Sequence, residues 1–494
     1  MTDPPAAVRA VETHLSWVFM AGDRAFKLPK PVSMPFLDLS EPELRMAAMR
    51  RELELNARIA PDVYLGLADV MEQGELTDQM IVMRRLPADR RLSQLAGTSE
   101  FAGCLRAVAR TVAAFHAGQE PILHHEASTS QALERDWNDN FEVTEALVDA
   151  GVPAEVLPRV RGLVERYLAG RRPLFELRSA EGFVRDGHGD LIADDVFCMD
   201  DGPRIIDCLA FNDDWRIGDV LADIAFLVMD VHRVAGPAEA LALLGWYQEF
   251  SGEHHPSSLA HHYVAYRAHV RAKVACLRWR QGDDDAAGLA RRYHDLTLHH
   301  LERGRVRLVL VGGGPGTGKT VLADGLADEL GWAVVRTDDL RRGVASAQGT
   351  TSREAAPGAG FYDESGKNAV YEELLRQAAA LLGAGESVVL DASWTDERHR
   401  RAAREVAETS YAELVEFECR LDPAEAKRRI EARRATGVGN SDATAEVVDH
   451  LRGRRDPWDA ATGLDTSQAV VAVLDQAVRT LHHRTEGRSD APNR

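Results

Sequence analysis

Eight consecutive residues, Gly313-Gly314-Pro315-Gly316-Thr317-Gly318-Lys319-Thr320, satisfy G-x-x-x-x-G-K-[ST]. Glycines at these places let backbone N–H groups turn inward around a phosphate chain. The lysine then reaches the outer phosphates, and the hydroxyl beside it can ligate Mg²⁺. Only six of the 59 Lys+Arg residues are lysines, so a lysine at the motif position is informative. Asp391 closes the apolar run Ser387–Leu390 and can hold the metal from the next strand. Asp338 follows Trp332–Val335, also at a strand's carboxyl end, where ligands of open α/β sheets bind and a carboxylate can take the proton of an acceptor hydroxyl. Asp339 is an adjacent alternative, and either residue could instead cap a helix.

A second constellation lies upstream. Asp190 stands in His188-Gly189-Asp190-Leu191, Asp195 is five residues on, and Asp207 is seventeen beyond Asp190, in Ile205-Ile206-Asp207-Cys208. A base carboxylate, a metal ligand five residues later and a second metal ligand from the next strand form the spacing of a kinase-type catalytic loop. Arg24-Ala25-Phe26-Lys27 supplies a strand lysine for the α/β phosphates; Ala25 and Lys27 share a face, and Lys30 points to the other. Glu52 on the following helix is the expected ion-pair partner of Lys27, with Glu54 as fallback.

The elements that must position these residues follow from periodicity. His14–Ala21 and Arg24–Leu28 read as strands around a Gly22-Asp23 turn, and Pro42–Ile59 as a helix with Leu44, Ala48, Leu55 and Ile59 on its apolar face. Further strands are expected at Val63–Leu65 and Met80–Met83, then helices from Phe101 to about Leu168, a strand at Arg204–Cys208 and mostly helix over 217–303. From Val306 strands and helices alternate, which argues for a covered parallel sheet. The expected architecture is an α+β two-lobe protein-kinase-like domain over 1–303, then an α/β P-loop NTPase domain with a parallel sheet over 304–486, and a disordered tail, 487–494. Arg429 and Arg433, four apart on one helix face and followed by a Gly/Asn/Ser-rich stretch, read as a lid that brings Arg433 over the γ-phosphate.

Thr337-Asp338-Asp339-Leu340-Arg341, the Asp391-Ala-Ser-Trp stretch and Ser441-Asp-Ala resemble the small P-loop kinases of the zeta-toxin and chloramphenicol-phosphotransferase type. That resemblance implies ATP-dependent phosphorylation of a hydroxyl, with Asp338 as general base and Arg341 contacting the acceptor. The His188–Leu191 and Asp207 segments resemble the aminoglycoside phosphotransferases, whose loop reads H-G-D-L-H-x-x-N; here Ile192 replaces the second His and Asp195 the Asn. The family implies that Asp219 and Asp223, in a Gly-Asp…Asp stretch, stabilise the helical lobe. The order of the two halves is similar to that of fused bifunctional aminoglycoside phosphotransferase/ATP-binding proteins. ATP and Mg²⁺ are the implied cofactors, and small-molecule hydroxyls the implied acceptors.

Composition narrows the field. Over 494 residues the formal net charge is −19, which opposes a broad nucleic-acid footprint. Five isolated cysteines exclude a zinc ribbon or disulfide scaffold and suit a reducing cytoplasm. A polar N-terminus predicts no signal peptide, and no apolar run is long enough to span a bilayer. The histidines at 254, 255, 261, 262, 294, 299, 300, 482 and 483 lack partnered cysteines or an H-E-x-x-H pattern and are expected to be solvated or helix-capping. The rival reading is a regulatory ATP-binding protein, with an inactive kinase-like sensor and a P-loop switch; oligomeric state is not readable.

Overall fold

The turn at Gly22-Asp23, with Gly22 at φ 59°, joins two strands whose hydrogen-bonded register runs from Ala21↔Arg24 to Ser16↔Pro29. A computed structural model of the chain describes residues 8–34, 37–126, 129–145, 156–341, 364–436 and 455–483. They form two compact units: 1–157, 175–255 and 260–300 make the first, and 158–174, 256–259 and 301–494 the second. The expected tail, 487–494, and the Ser441 triplet lie outside the described residues.

In the first unit β1 (Arg9–Glu12), β2 (Ser16–Ala21) and β3 (Arg24–Pro29) are followed by the small pair β4 (Ser33–Met34) and β5 (Leu37–Asp38). The longer β6 (Tyr64–Glu72) and β7 (Glu75–Arg84) complete an antiparallel sheet of order β1-β2-β3-β7-β6. Ala25, Met49, Val63, Ile81 and Met83 fill the space between this sheet and the helix Pro42–Ala57.

Of that helix's expected face, Leu55 is buried and Ala48 and Ile59 pack against the same core, but Leu44 does not follow and polar residues join the stripe. Leu44 is 42% exposed, and the buried stripe is Arg45, Met49, Glu52, Leu55 and Asn56. Polar side chains can occupy a buried stripe because each finds a partner. Arg45 meets Asp78 at 2.6 Å, Glu52 meets Lys27 at 2.7 Å, and Asn56 accepts from the Cys208 N–H at 2.8 Å.

The remainder of the first unit is mostly helical, with two short antiparallel pairs. β8 (Val184–Asp186) pairs with β11 (Ile217–Asp219), and β9 (Val196–Met199) with β10 (Gly202–Ile205). The β9–β10 hairpin begins just after Asp195 and ends two residues before Asp207, so it returns the second carboxylate to the first.

In the second unit β12 (Arg307–Gly313) is buried along its whole length and central. With β13 (Ala333–Arg336), β14 (Val388–Asp391), β15 (Glu413–Arg420) and β16 (Thr462–Asp465) it makes a parallel sheet of order β13-β14-β12-β15-β16. Val309, Val311, Val389, Val415 and Phe417 pack against Leu322 and Leu326 of the helix Lys319–Leu330. Gly331, at φ 68°, closes that helix as its sequence implies. β16 had no forward signal, being four residues long and remote from the motif strands.

Candidate functional site

The first unit brings Lys27, Glu52 and Asp207 to one point. Lys27 Nζ lies 2.7 Å from Glu52 Oε1 and 2.6 Å from Asp207 Oδ1. Burial opposes its charge, but Asp207 and Glu52 outweigh that and hold the ammonium well above its usual range. The two carboxylates respond oppositely. Lys27 draws Asp207 below the usual carboxylate range, whereas burial pushes Glu52 up despite the same lysine. Glu54 pairs instead with Arg51 at 3.1 Å, and Lys30 bonds Glu12 at 2.6 Å, so neither joins the cluster.

Asp207 sits in a left-handed backbone conformation, φ 67°. Its N–H donates to the Tyr64 hydroxyl at 3.0 Å, and the next N–H, on Cys208, donates to Asn56. These two anchors hold a strained turn, and sequence reasoning missed both because they come from distant elements. Asp190 and Asp195 share Asp207's field. Burial, with Asp207 adding to it, raises both, and Asp195 is also raised by Asp190; Arg271 pulls Asp190 the other way. Asp190 and Asp195, raised in the field of an ionised Asp207, form with it a set of oxygen donors of the kind a divalent cation takes, and such a cation would relieve their repulsion.

The loop carrying Asp190 hangs on Asp223. The N–H groups of His188 and Gly189 donate to its two oxygens at 2.7 and 2.8 Å, and His116 Nε2 lies 2.9 Å from Oδ2. A Cβ at Gly187 would meet Asp223 Oδ2 at 2.6 Å, so only glycine lets the loop approach this closely. Burial would raise Asp223, but the bonds from His116 and from the His188 backbone hold it well below the usual range. Asp219 caps the helix Val220–Ala235 through the Leu221 N–H and pairs with buried Arg178 at 2.5 and 2.8 Å. The structural roles expected of Asp219 and Asp223 thus have a concrete form.

In the second unit the register β12–β14 sets Val311 opposite Asp391, and β13–β14 sets Arg336 opposite it on the other side. The carboxyl ends of three adjacent strands thereby surround the Gly313–Thr320 loop and the start of its helix. Gly313, Gly316 and Gly318 all have positive φ. A Cβ on Gly316 would lie 2.6 Å from the Ala426 carbonyl. Thr317 Oγ1 donates to the Gly314 carbonyl at 2.8 Å and braces the loop around Pro315.

Thr320 Oγ1 donates to Asp391 Oδ2 at 2.7 Å. Burial raises Asp391, and Lys319 works against that. Its Oδ1 is buried with no hydrogen-bond partner among the described residues. An orphaned carboxylate oxygen beside a threonine hydroxyl and a lysine fits a Mg²⁺ site in which the carboxylate holds a metal-bound water.

Asp338 and Arg341 pair at 2.7 Å within the helical turn 337–341, directly after β13. Arg429 donates to the Thr466 carbonyl at 3.0 Å, and it lines a small open pocket with Gly318, Val321, Val470, Val473 and Leu474. Arg433 belongs to the helix Pro423–Thr436, but its side chain lies outside the described residues, as does the expected lid stretch after it.

Beyond Asp391 stand residues that sequence reasoning passed over. Tyr371 stacks on His399 at 3.9 Å, its hydroxyl contacts Ser393 Oγ at 3.2 Å and accepts from the Trp394 N–H at 3.1 Å. Lys367 Nζ lies 3.2 Å from Thr395 Oγ1. The scarcity of lysine was the available signal for Lys367.

Several histidines are not solvated: His262 and His294 are 1% exposed and His300 is 6% exposed. His262 accepts from Trp137 Nε1 at 3.3 Å, so aromatic packing rather than solvent surrounds it. Among the described residues no helix is long and apolar enough to cross a membrane.

Residues 35–261 match the phosphotransferase enzyme family and residues 308–458 match an AAA domain family. Over 471 residues the chain is 39% identical to the uncharacterized protein Rv2004c of Mycobacterium tuberculosis (strain ATCC 25618 / H37Rv), covering 94% of each. The same identity and coverage hold for the uncharacterized protein Mb2027c of Mycobacterium bovis. Among solved structures, the GDP and kanamycin complex of APH(2")-IIia covers 60% of this chain and 93% of its own, at 14% identity and a TM-score of 0.39. A choline/ethanolamine kinase family protein from Mesorhizobium loti covers 60% and 91%, at 13% and 0.38. The Mycobacterium tuberculosis APS kinase CysC in complex with AMPPNP and APS covers 36% and 98%, at 20% and 0.27.

Proposed function

Because the chain belongs to the family in which a phosphotransferase domain is followed by a P-loop kinase domain, we propose that it is a phosphotransferase with two separate ATP sites, each moving the γ-phosphoryl group to a small-molecule hydroxyl. The observation that supports two sites is that each unit sets its own lysine among its own carboxylates: Lys27 with Glu52 and Asp207, Lys319 with Asp391.

In the first unit Lys27, fixed by Glu52, orients the α/β phosphates, and Asp190 accepts the hydroxyl proton of the acceptor. Its raised proton affinity brings it closer to the range useful for that transfer. Asp195 and Asp207 would hold Mg²⁺ there, and Thr320 with Asp391 in the second unit. Mg²⁺, when bound, neutralises charge on the transferring phosphate oxygens.

In the second unit the backbone N–H groups of Gly313–Thr320 cradle the phosphates and Lys319 reaches the outer ones. The apolar pocket beside Gly318 takes the base. Asp338 accepts the acceptor's proton; Arg341, paired with it at 2.7 Å, holds that carboxylate in place. Transfer asks for positioning and charge stabilisation more than covalent chemistry, and both units supply it.

Equilibrium dialysis with a non-hydrolysable ATP analogue and Mg²⁺ tests the reading. Two nucleotides per chain are expected, falling to one in Lys27→Ala and to one in Lys319→Ala. A single nucleotide on the wild-type chain, lost with Lys319 alone, refutes the first site. Asp190→Asn should keep two nucleotides while removing the product made by the first unit.

A further inference from the structure

Three helices of the first unit bring four histidines together, none of them used in the chemistry above. His232 lies in the last turn of Val220–Ala235, His261 near the start of Ser257–Arg280, and His299 and His300 near the end of Ala286–Arg303. His232 Nδ1 and His300 Nε2 are 2.9 Å apart, and His300 Nδ1 and His261 Nδ1 are 2.8 Å apart. The His299 ring meets those of His232 and His300 edge-on, with centroids 5.6 and 5.3 Å away. One ring nitrogen from each of His232, His299 and His300 lies within 4.8 Å of the other two.

We propose that His232, His299 and His300 form a binding site for a transition-metal cation of the Zn²⁺ class, with His261 orienting His300 through its second nitrogen.

The donor set decides the class of ion. Imidazole nitrogens suit Zn²⁺, Cu²⁺ and Ni²⁺, whereas Mg²⁺ and Ca²⁺ take oxygen ligands. The trio contains no carboxylate, so it differs in kind from the two magnesium sites proposed above. Ring nitrogens bound at about 2.0–2.1 Å in a tetrahedron stand about 3.3 Å from one another. The present separations of 2.9 Å and up to 4.8 Å bracket that value, so ring rotations of modest size suffice.

His300 has the double engagement of a ligating histidine. With Nε2 turned to the metal, its Nδ1–H donates to His261 Nδ1, which fixes tautomer and ring plane. His232 and His300 sit in the last turns of their helices, where carbonyl ends favour a cation. His300 is buried and His299 exposed, so the ion is anchored on the protein side and reachable from solvent, and water can complete its shell. Bound metal ties the end of Val220–Ala235 to the end of Ala286–Arg303.

The test uses the full chain, made without a polyhistidine tag, stripped with chelator and titrated with Co²⁺ in excess Mg²⁺. One equivalent should bind with visible absorption bands and be displaced by Zn²⁺. Loss of the exposed ligand in His299→Ala should weaken binding at least tenfold without disturbing packing, and His232→Ala should abolish it. His261→Gln should weaken it by about 10–100-fold, the effect of losing a partner behind a ligand. Far-UV circular dichroism establishes that each variant is folded. No uptake by the wild-type chain, or equal affinity in wild type and folded His299→Ala, overturns the site.

Discussion

The Thr320 hydroxyl points at Asp391 Oδ2 from 2.7 Å, while Oδ1 of the same buried carboxylate has no partner among the described residues. The pair is half-satisfied within the protein, and what it lacks is a donor such as metal-bound water. Asp391→Asn should therefore retain the fold and weaken Mg²⁺ activation of the second site. Lys319→Ala should reduce that site's turnover by about 10²–10³-fold, the effect of losing one donor to developing charge. Product formation followed with labelled ATP over a Mg²⁺ series checks both; an unchanged Mg²⁺ midpoint in Asp391→Asn would speak against its role.

Gly316 offers a sharper test of the phosphate loop. Alanine there must adopt φ near 77° and place its Cβ 2.6 Å from the Ala426 carbonyl. The left-handed conformation alone costs about 1–2 kcal/mol, and the clash displaces the loop. Gly316→Ala should lose nucleotide binding in the second unit and leave that of the first untouched, as read by calorimetric stoichiometry.

Asp223 holds the Asp190 loop by its backbone. Asp223→Ala leaves the buried N–H groups of His188 and Gly189 and the ring of His116 without their acceptor. A loss of about 3–5 kcal/mol is expected, seen as a lower urea midpoint, together with loss of transfer by the first unit. A variant as stable as wild type would contradict the anchoring role.

Acid should destabilise the first unit through buried imidazoles. Burial pushes His262 down to about 3 and His294 to about 4, against an unfolded value near 6.5. Above that value both states are neutral and the stability is full. As pH falls from 6.5 toward the folded values, the unfolded chain takes up protons that the folded chain refuses. Each such histidine then costs up to about 1.4 kcal/mol per pH unit. Neither ring nitrogen of His294 has a hydrogen-bond partner among the described residues, so His294→Leu should flatten the pH dependence without loss at pH 7. Urea midpoints between pH 7 and pH 4.5 would reveal a slope indifferent to that change.

The parts legible in the sequence were those with short-range causes. The β2–β3 turn announces itself by Gly22-Asp23, the phosphate loop by its glycines and Lys319, and the Asp190, Asp195 and Asp207 series by spacing. On Pro42–Ala57 the periodicity found Ala48, Leu55 and the neighbouring Ile59 but wrongly counted Leu44, and it cannot know that Arg45, Glu52 and Asn56 each meet a partner from another element.

By itself, then, the sequence determined the order of a kinase-like half and a P-loop kinase half, and it singled out candidate lysines and carboxylates in each, since those rest on residue type at fixed spacing along one strand or loop. Tertiary structure alone decided that Asp207 joins the Lys27–Glu52 pair, that Asp223 carries the Asp190 loop by its backbone, and that His232, His261, His299 and His300 converge from three helices. Those contacts join residues up to 180 positions apart, and no local pattern encodes which distant side chain will satisfy a buried charge or ring nitrogen until the chain has folded around it.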